Sequence, residues 1–298
     1  MRNLLRKLIP TALLEIYRSY KKKKVSNEIQ KSKERGDAFT FDELKNDLIK
    51  MGIVEGDTVL VHSSLSKIGY VSGGPSTIID ALISVVGQSG HILMPNSPNA
   101  GLQLEYIRDL MCFDVNNDAS KLGAITEAFR TYQGAIRSEH PTEPVSCFGP
   151  NAKSFTEDHF GNLTPYNKNS PFYKVSERKG KILYIGVTFD NAGTNLHTLE
   201  DAVEDFHEPV YFEETFDVQI KSADGTLRNM KTKVHNPVQS AKRKCDGLIP
   251  LFEQRKVLFK ASFGNAETLV VDAERMLQVM IEEYKINGVT MYNPKGKN

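Results

Sequence analysis

Four of the histidines, His62, His140, His159 and His197, fall at the ends of apolar runs or in the loops that follow them. An imidazole takes up and returns a proton near neutral pH, and a carboxylate beside it fixes which ring nitrogen carries the hydrogen. The segment Asn195-Leu196-His197-Thr198-Leu199-Glu200 places an acid one helical turn after a histidine, with Asp201 and Glu204 beyond it. This spacing suits a general base with its orienting acid. Metal ligation uses the same residue types, yet the chain has no His-Glu-x-x-His, no facial-triad spacing and no cysteine near His197, so no metal is expected. A serine nucleophile has no Gly-x-Ser-x-Gly turn to carry it. Taken singly, each histidine is more often a buried hydrogen-bonding group than a catalyst, and only their combination points to chemistry.

A second stretch suits an anion. Val59-Leu60-Val61 stops at His62-Ser63-Ser64, and a polar loop containing Ser66 runs to Gly73-Gly74-Pro75, where an apolar-periodic segment begins. That order reads as strand, loop and helix start. Proline suits the first helical position, the first-turn N–H groups are unpaired, and two glycines admit a ligand close to the backbone. A plain strand-to-helix connection has the same features, so the stretch alone decides nothing.

Around these residues the chain alternates strand and helix. Thr40 with Glu43 makes a capping box for a helix that stops at Gly52. A strand over 58–64, a helix over 76–86 and a strand from His91 form a β-α-β unit, which favours a parallel sheet. Pro95 to Asp118, irregular and rich in Asn and Pro, reads as a loop that either faces substrate or crosses the surface. Helices follow Gly123 and lie near 151–160 and Val175–Lys179, and the strongest strand is 181–187. Alternation on both sides of Ser222-Ala223-Asp224-Gly225 predicts a hairpin, and the last segment, from Asp246, reads as helix, strand and helix. The expected fold is an α/β/α sandwich on a central mixed, largely parallel sheet, with an N-terminal helical extension over 1–38 and a C-terminal β-hairpin region within the domain 39–298.

With 298 residues, 40% hydrophobic and 25% charged, the chain is ample for a buried core. A formal net charge of +1 provides no field for nucleic acid. Cys112, Cys147 and Cys245 are too scattered for a disulfide framework or a zinc site. No run approaches the roughly 20 apolar residues that span a bilayer, and a cytoplasmic protein is expected. The leader, with apolar residues at helical spacing and the run Lys21 to Lys24, suits an anionic membrane face, or a helix packed on the domain or on a second subunit of a homo-oligomer.

The segments HSSLSKIGYVSGGPSTIIDAL, GAITEAFR, RSEHPTEPVSCFGPNA, DHFGNLTPYNKNSPFYKV, GKILYIGVTFDNAGTNLHTLE and FGNAETLVVDA occur in this order. Together they resemble the motifs of the aminoglycoside 3-N-acetyltransferase family over about residues 40–280. The resemblance implies acetyl-CoA as donor, an α/β/α fold distinct from the common GNAT acetyltransferases, and direct transfer to a sugar amine without a metal. It implies acetyl-CoA contacts at Ser63, Ser64, Leu65, Gly69, Ser72, Gly73, Gly74 and Ser170. It also implies His159 as catalytic base, Glu200 as an acid near it, and His140 and His197 as further motif histidines. A hydroxyl at Ser63 or Ser64, or loop N–H groups, would polarise the thioester, with the coenzyme A phosphates near Pro75.

The acceptor is expected to differ from that of the family. Acid enrichment is not evident after Pro95, and Arg137 lies close to His140. An amino sugar carried on a nucleotide diphosphate, its pyrophosphate met by Arg and Lys, is therefore the expected substrate, as in surface-polysaccharide biosynthesis. An aminoglycoside is the alternative, and a non-catalytic module that recruits a complex to the membrane is a third reading.

Overall fold

A computed structural model describes residues 19–297 other than 21, 22, 25, 26, 28 and 29. Much of the basic extension expected over 1–38 lies outside the described residues. No helix among the described residues is long and apolar enough to cross a membrane.

The strands are β1 (Thr58–Ser63), β2 (His91–Pro95), β3 (Cys112–Asp114), β4 (Ile136–Arg137), β5 (Val145–Phe148), β6 (Lys181–Ile185), β7 (Phe216–Lys221), β8 (Leu227–Thr232), β9 (Leu258–Phe263) and β10 (Ala266–Asp272). Seven of them form one sheet in the order β4-β5-β2-β1-β6-β10-β9. The sheet is mixed, as expected, and its parallel part is the central trio: β1 runs parallel to β2 and to β6, and the outer pairings are antiparallel. Connection length sets this division. The β1-to-β2 crossover holds a full helix, whereas β9 and β10, expected as a single strand, are joined by a tight turn at Gly264-Asn265 and must run antiparallel.

Strand alternation divides the core between the two faces of the sheet. Val59 and Val61 of β1, Ile92 and Met94 of β2 and Leu183 and Ile185 of β6 pack on one side, while Leu60, Leu93, Ile182 and Tyr184 pack on the other. Helix α1 (Phe41–Lys50) covers the first side with Leu44 and Leu48, and α2 (Pro75–Val86) adds Ile78, Ile79 and Leu82. The capping box holds α1: Thr40 N–H donates to Glu43 Oε2 at 2.8 Å and Glu43 N–H to Thr40 Oγ1 at 3.3 Å. The second side is covered by α3 (Pro171–Glu177), α4 (Thr198–Ala202) and α5 (Ala273–Asn287), giving the α/β/α layering.

The hairpin expected around Ser222–Gly225 is β7-β8, which joins β3 in a separate sheet, β3-β7-β8. Its core of Phe113, Val218, Ile220 and Met230 is closed by Leu104 and Ile107 from a helix over Gln103–Asp109. The stretch after Pro95, read from the sequence as a loop, thus carries a helix and a strand. Arg137 ties the two sheets together. Its guanidinium donates to Asn96 Oδ1 (2.9 Å), Asn96 O (2.7 Å), Val115 O (3.0 Å) and Asp118 O (2.7 Å), and it lies over the Phe113 ring. Burial brings its pKa down to about 10. With four of its five N–H donors committed to one amide and three backbone carbonyls, and the group buried between the sheets, Arg137 is not placed to meet a substrate pyrophosphate.

Candidate active site

The parallel strands β1 and β6 end on the same edge of the sheet, the place where open α/β sheets form crevices. His62 and Ser63 are the last residues of β1. After β6 come Gly186, a short helix (Phe189–Ala192), the turn Thr194–His197 and α4. The two loops meet where Thr194 Oγ1 lies 3.2 Å from His62 Nε2, and the His62 ring stacks on Tyr184. A cleft of about 960 Å³ opens beside them, and His197, His235, Tyr166, Glu143, Asp190 and Arg243 are among its walls.

His197 Nδ1 is 2.8 Å from Glu200 Oε1, one turn further along the chain. His235 Nε2 is 3.1 Å from Glu200 Oε2, and the Tyr292 hydroxyl donates to Oε1 at 2.6 Å. The Glu200 side chain is wholly buried behind the two rings. An ionised carboxylate accepts from all three groups, so each imidazole carries its hydrogen toward Glu200 and presents its other nitrogen as a lone pair. For His197 that nitrogen is Nε2, which makes no hydrogen bond among the described residues, on a side chain that lines the cleft. Tyr166 stacks on His197 with centroids 4.9 Å apart, and Tyr211 stacks on His235 at 5.2 Å. These stacks hold the rings upright.

Burial lowers the pKa of His197 to about 3, against the upward pull of Glu200. Burial would raise the Glu200 carboxyl, but the charges and hydrogen bonds of His197 and His235 outweigh it and keep the acid below the usual carboxylate range. The resting pair is a neutral imidazole on a carboxylate. The ligand atoms of His197, Glu200 and His235 lie within 4.8 Å of one another, close enough to hold a metal ion, yet in this arrangement they satisfy each other.

His159 lies elsewhere. Its Nδ1 is 2.8 Å from Ser138 Oγ and its Nε2 is 3.0 Å from the Pro165 carbonyl. The carbonyl can only accept, so Nε2 carries the hydrogen and Nδ1 accepts a hydrogen bond from the Ser138 hydroxyl. Neither nitrogen is left for a substrate, and the residue is fully buried. His140 stacks on it at 4.8 Å and sits between Thr142 and Thr232, 3.2 and 3.4 Å from its nitrogens. The acid Glu200, expected beside His159, pairs instead with His197 and His235.

His159→Ala is expected to lower stability by about 2–4 kcal/mol, through a cavity and two unpaired groups, with kcat of the folded fraction kept. Thermal unfolding beside an active-site titration tests it. Acid acts on the same rings. Burial holds His62, His140 and His159 below their ordinary 6.5, to about 4 for His62 and about 3 for His159. Each binds its proton in the unfolded chain first, so folding stability is intact above 6.5 and falls as pH drops below it, by about 1.4 kcal/mol per unit and ring. Denaturant unfolding at about pH 7 and pH 5.5 measures the slope, and equal midpoints would refute it.

The loop expected to meet acetyl-CoA stands at the carboxyl end of β1. Ser63 Oγ is buried there and has no hydrogen-bond partner among the described residues. Ser64 and Leu65 begin a short turn of helix that ends at Gly69. Ser72 O accepts from Thr77 Oγ1 at 2.5 Å, and Gly73 and Gly74 both have positive φ (79° and 66°). A Cβ on Gly73 would come within 2.4 Å of Thr77 Oγ1, so the entry to α2 requires glycine there. Ser170, by contrast, is fully buried and caps α3, accepting from Tyr173 N–H at 3.1 Å. Sequence reasoning missed His235, Tyr166 and Tyr292, which are brought to Glu200 by tertiary structure alone.

The layered α/β/α sheet thus carries, in its edge cleft, a carboxylate-backed imidazole with one nitrogen open to accept a proton. The chain belongs to the aminoglycoside 3-N-acetyltransferase family, whose model matches residues 60–285. It is 33% identical over 183 residues to aminoglycoside N(3)-acetyltransferase IX of Micromonospora chalcea, 55% of this chain and 63% of that protein. It is also 33% identical over 180 residues to the YokD aminoglycoside N(3')-acetyltransferase-like protein of Bacillus subtilis, 54% of this chain and 64% of that one. The matches thus span somewhat under two thirds of these relatives. Among solved structures, AAC(3)-Xa superposes with a TM-score of 0.73 at 25% identity, covering 87% of this chain and 98% of its own. AAC-VIa bound to sisomicin gives 0.69 at 27% identity, covering 82% and 97%. AAC-IIIb in a binary complex with CoASH gives 0.69 at 25%, covering 83% and 97%.

These findings overturn the expectation of a nucleotide-linked amino sugar as acceptor, because the family model and relatives such as the Micromonospora chalcea protein are aminoglycoside 3-N-acetyltransferases. Arg137, the residue on which the expectation rested, is committed between the two sheets, and the cleft carries acids (Glu143, Asp190) and bases (Arg243, Lys244) alike.

Proposed function

We propose that this chain transfers the acetyl group of acetyl-CoA to the 3-amine of an aminoglycoside, with His197 as general base. The observation that carries this reading is the His197–Glu200 hydrogen bond at the cleft of a family member, with Nε2 free to accept. The acceptor nitrogen attacks the thioester carbonyl carbon, forming C–N while His197 Nε2 takes a proton from the nitrogen. Glu200 stabilises the resulting imidazolium. Collapse breaks C–S, and the imidazolium returns the proton to the departing sulfur as free thiol. Acetyl-CoA supplies the activated acyl group. Ser63 Oγ, lacking a partner, is a donor available to it, and the glycines before α2 let its chain approach the backbone.

The purified protein, given acetyl-CoA and sisomicin, is expected to release thiol in step with a singly acetylated product. Accumulation of an acetyl-enzyme on acetyl-CoA alone would refute direct transfer, and no thiol release with any aminoglycoside would refute the acceptor class.

A further inference from the structure

We propose that Arg243 selects among acceptors by charge, admitting a molecule that turns a hydroxyl toward it and disfavouring one that turns an ammonium there; this deepens the acetyl-transfer reading and rests on it. Arg243 lines the same cleft as His197. Arg130, Arg228 and Arg255 each hold a carboxylate, and Arg137 holds an amide and three carbonyls. Arg243 makes no salt bridge among the described residues, and its Nε and Nη2 have no hydrogen-bond partner there. The acids of the cleft are engaged elsewhere: Glu143 Oε1 accepts from Gln103 Nε2 at 2.7 Å, and Asp190 Oδ1 accepts the Asp246 N–H at 3.1 Å.

The backbone on both sides of Arg243 is tied to the cleft wall. Arg243 N–H donates to Ser240 O at 3.2 Å, and Lys244 N–H donates to Met291 O at 2.8 Å. An uncompensated guanidinium is thus held beside the place where the acceptor must lie. It can only donate hydrogen bonds. A sugar hydroxyl offers it lone pairs, whereas an ammonium offers none and brings a like charge into a wall where solvent screens poorly. An acceptor with several ammonium groups must therefore keep them away from Arg243, and a repulsive element of this kind discriminates where attraction alone does not.

Paromomycin and neomycin B differ by one exchange of hydroxyl for amine, and so do kanamycin A and kanamycin B. In the pair whose variable group meets Arg243, the wild-type KM for the amine member is expected to exceed that for the hydroxyl member roughly fivefold to fiftyfold. Arg243→Gln and Arg243→Met both remove the charge and should bring that ratio to one or below, with no change in the KM for acetyl-CoA. Arg243→Lys keeps the charge and should keep the preference. Ratios near one in wild type for both pairs, or ratios that are the same in wild type and in the neutral variants, would overturn the assignment. If wild type binds these compounds without releasing thiol, the acetyl-transfer reading fails, and the same ratios taken from calorimetric dissociation constants still decide the role of Arg243. If it binds none of them, both fall.

Discussion

His197→Ala is expected to lower kcat for acetyl transfer by a factor of about 10² to 10⁴, while the KM for acetyl-CoA and the unfolding midpoint change little. The ring lies at the cleft with one nitrogen on Glu200 and the other free, so its removal deletes the proton acceptor and leaves the buried acid paired to His235 and Tyr292. The stacking on Tyr166 is lost, but the cavity opens onto the cleft and can take water. Because burial depresses the His197 pKa, kcat of the wild type should show no acid limb near the ordinary imidazole value of 6.5. Single-turnover thiol release across pH reads both effects. A variant with wild-type kcat would remove His197 from the mechanism, and a loss matched by His159→Ala in its folded fraction would leave the base unassigned to either ring.

Much of the scaffold was legible because it depends on local rules. The capping box of Thr40 and Glu43, the β1–α2–β2 unit and the hairpin at Ser222–Gly225 each rest on residues close in sequence, and each formed. The one-turn spacing from His197 to Glu200 was read in the same way. Harder to read was which histidine faces solvent. His159 and His197 both follow apolar segments beside an acid, and they differ only in what folds over them: Pro165 and Ser138 close on the first, whereas the second borders a cleft. His235 had no sequence signal beyond ending an alternating strand. It reaches Glu200 because the segment after β8 crosses the cleft, a contact across 35 positions of sequence. Arg137 was misread for the same reason, since its partners at Asn96, Val115 and Asp118 lie in the stretch that looked like a loop.

Glu200→Gln should cost on the order of 10³ in kcat with little loss of stability, and the two readouts together separate charge from shape. The amide oxygen can occupy the place of Oε1, accepting from His197 Nδ1 and from the Tyr292 hydroxyl as before. Its NH₂ then replaces Oε2 and faces His235 Nε2, which must lose its hydrogen to accept; the tautomer shifts and the hydrogen appears on Nδ1. Each contact to residue 200 is kept, and the His235 ring that gains the Nδ1 hydrogen lines the cleft, where water can accept from it, so the fold holds. What disappears is the negative charge that stabilises the His197 imidazolium as the proton arrives, a term that acts in the transition state and not on bound acetyl-CoA. Glu200→Ala differs in kind. It leaves two imidazole N–H groups and a hydroxyl without an acceptor in a buried site, and is expected to destabilise by about 3–5 kcal/mol. A Glu200→Gln enzyme with near wild-type kcat would show that His197 needs only a hydrogen-bond acceptor behind it. A stability loss equal to that of the alanine variant would show instead that the pair serves the fold before the chemistry.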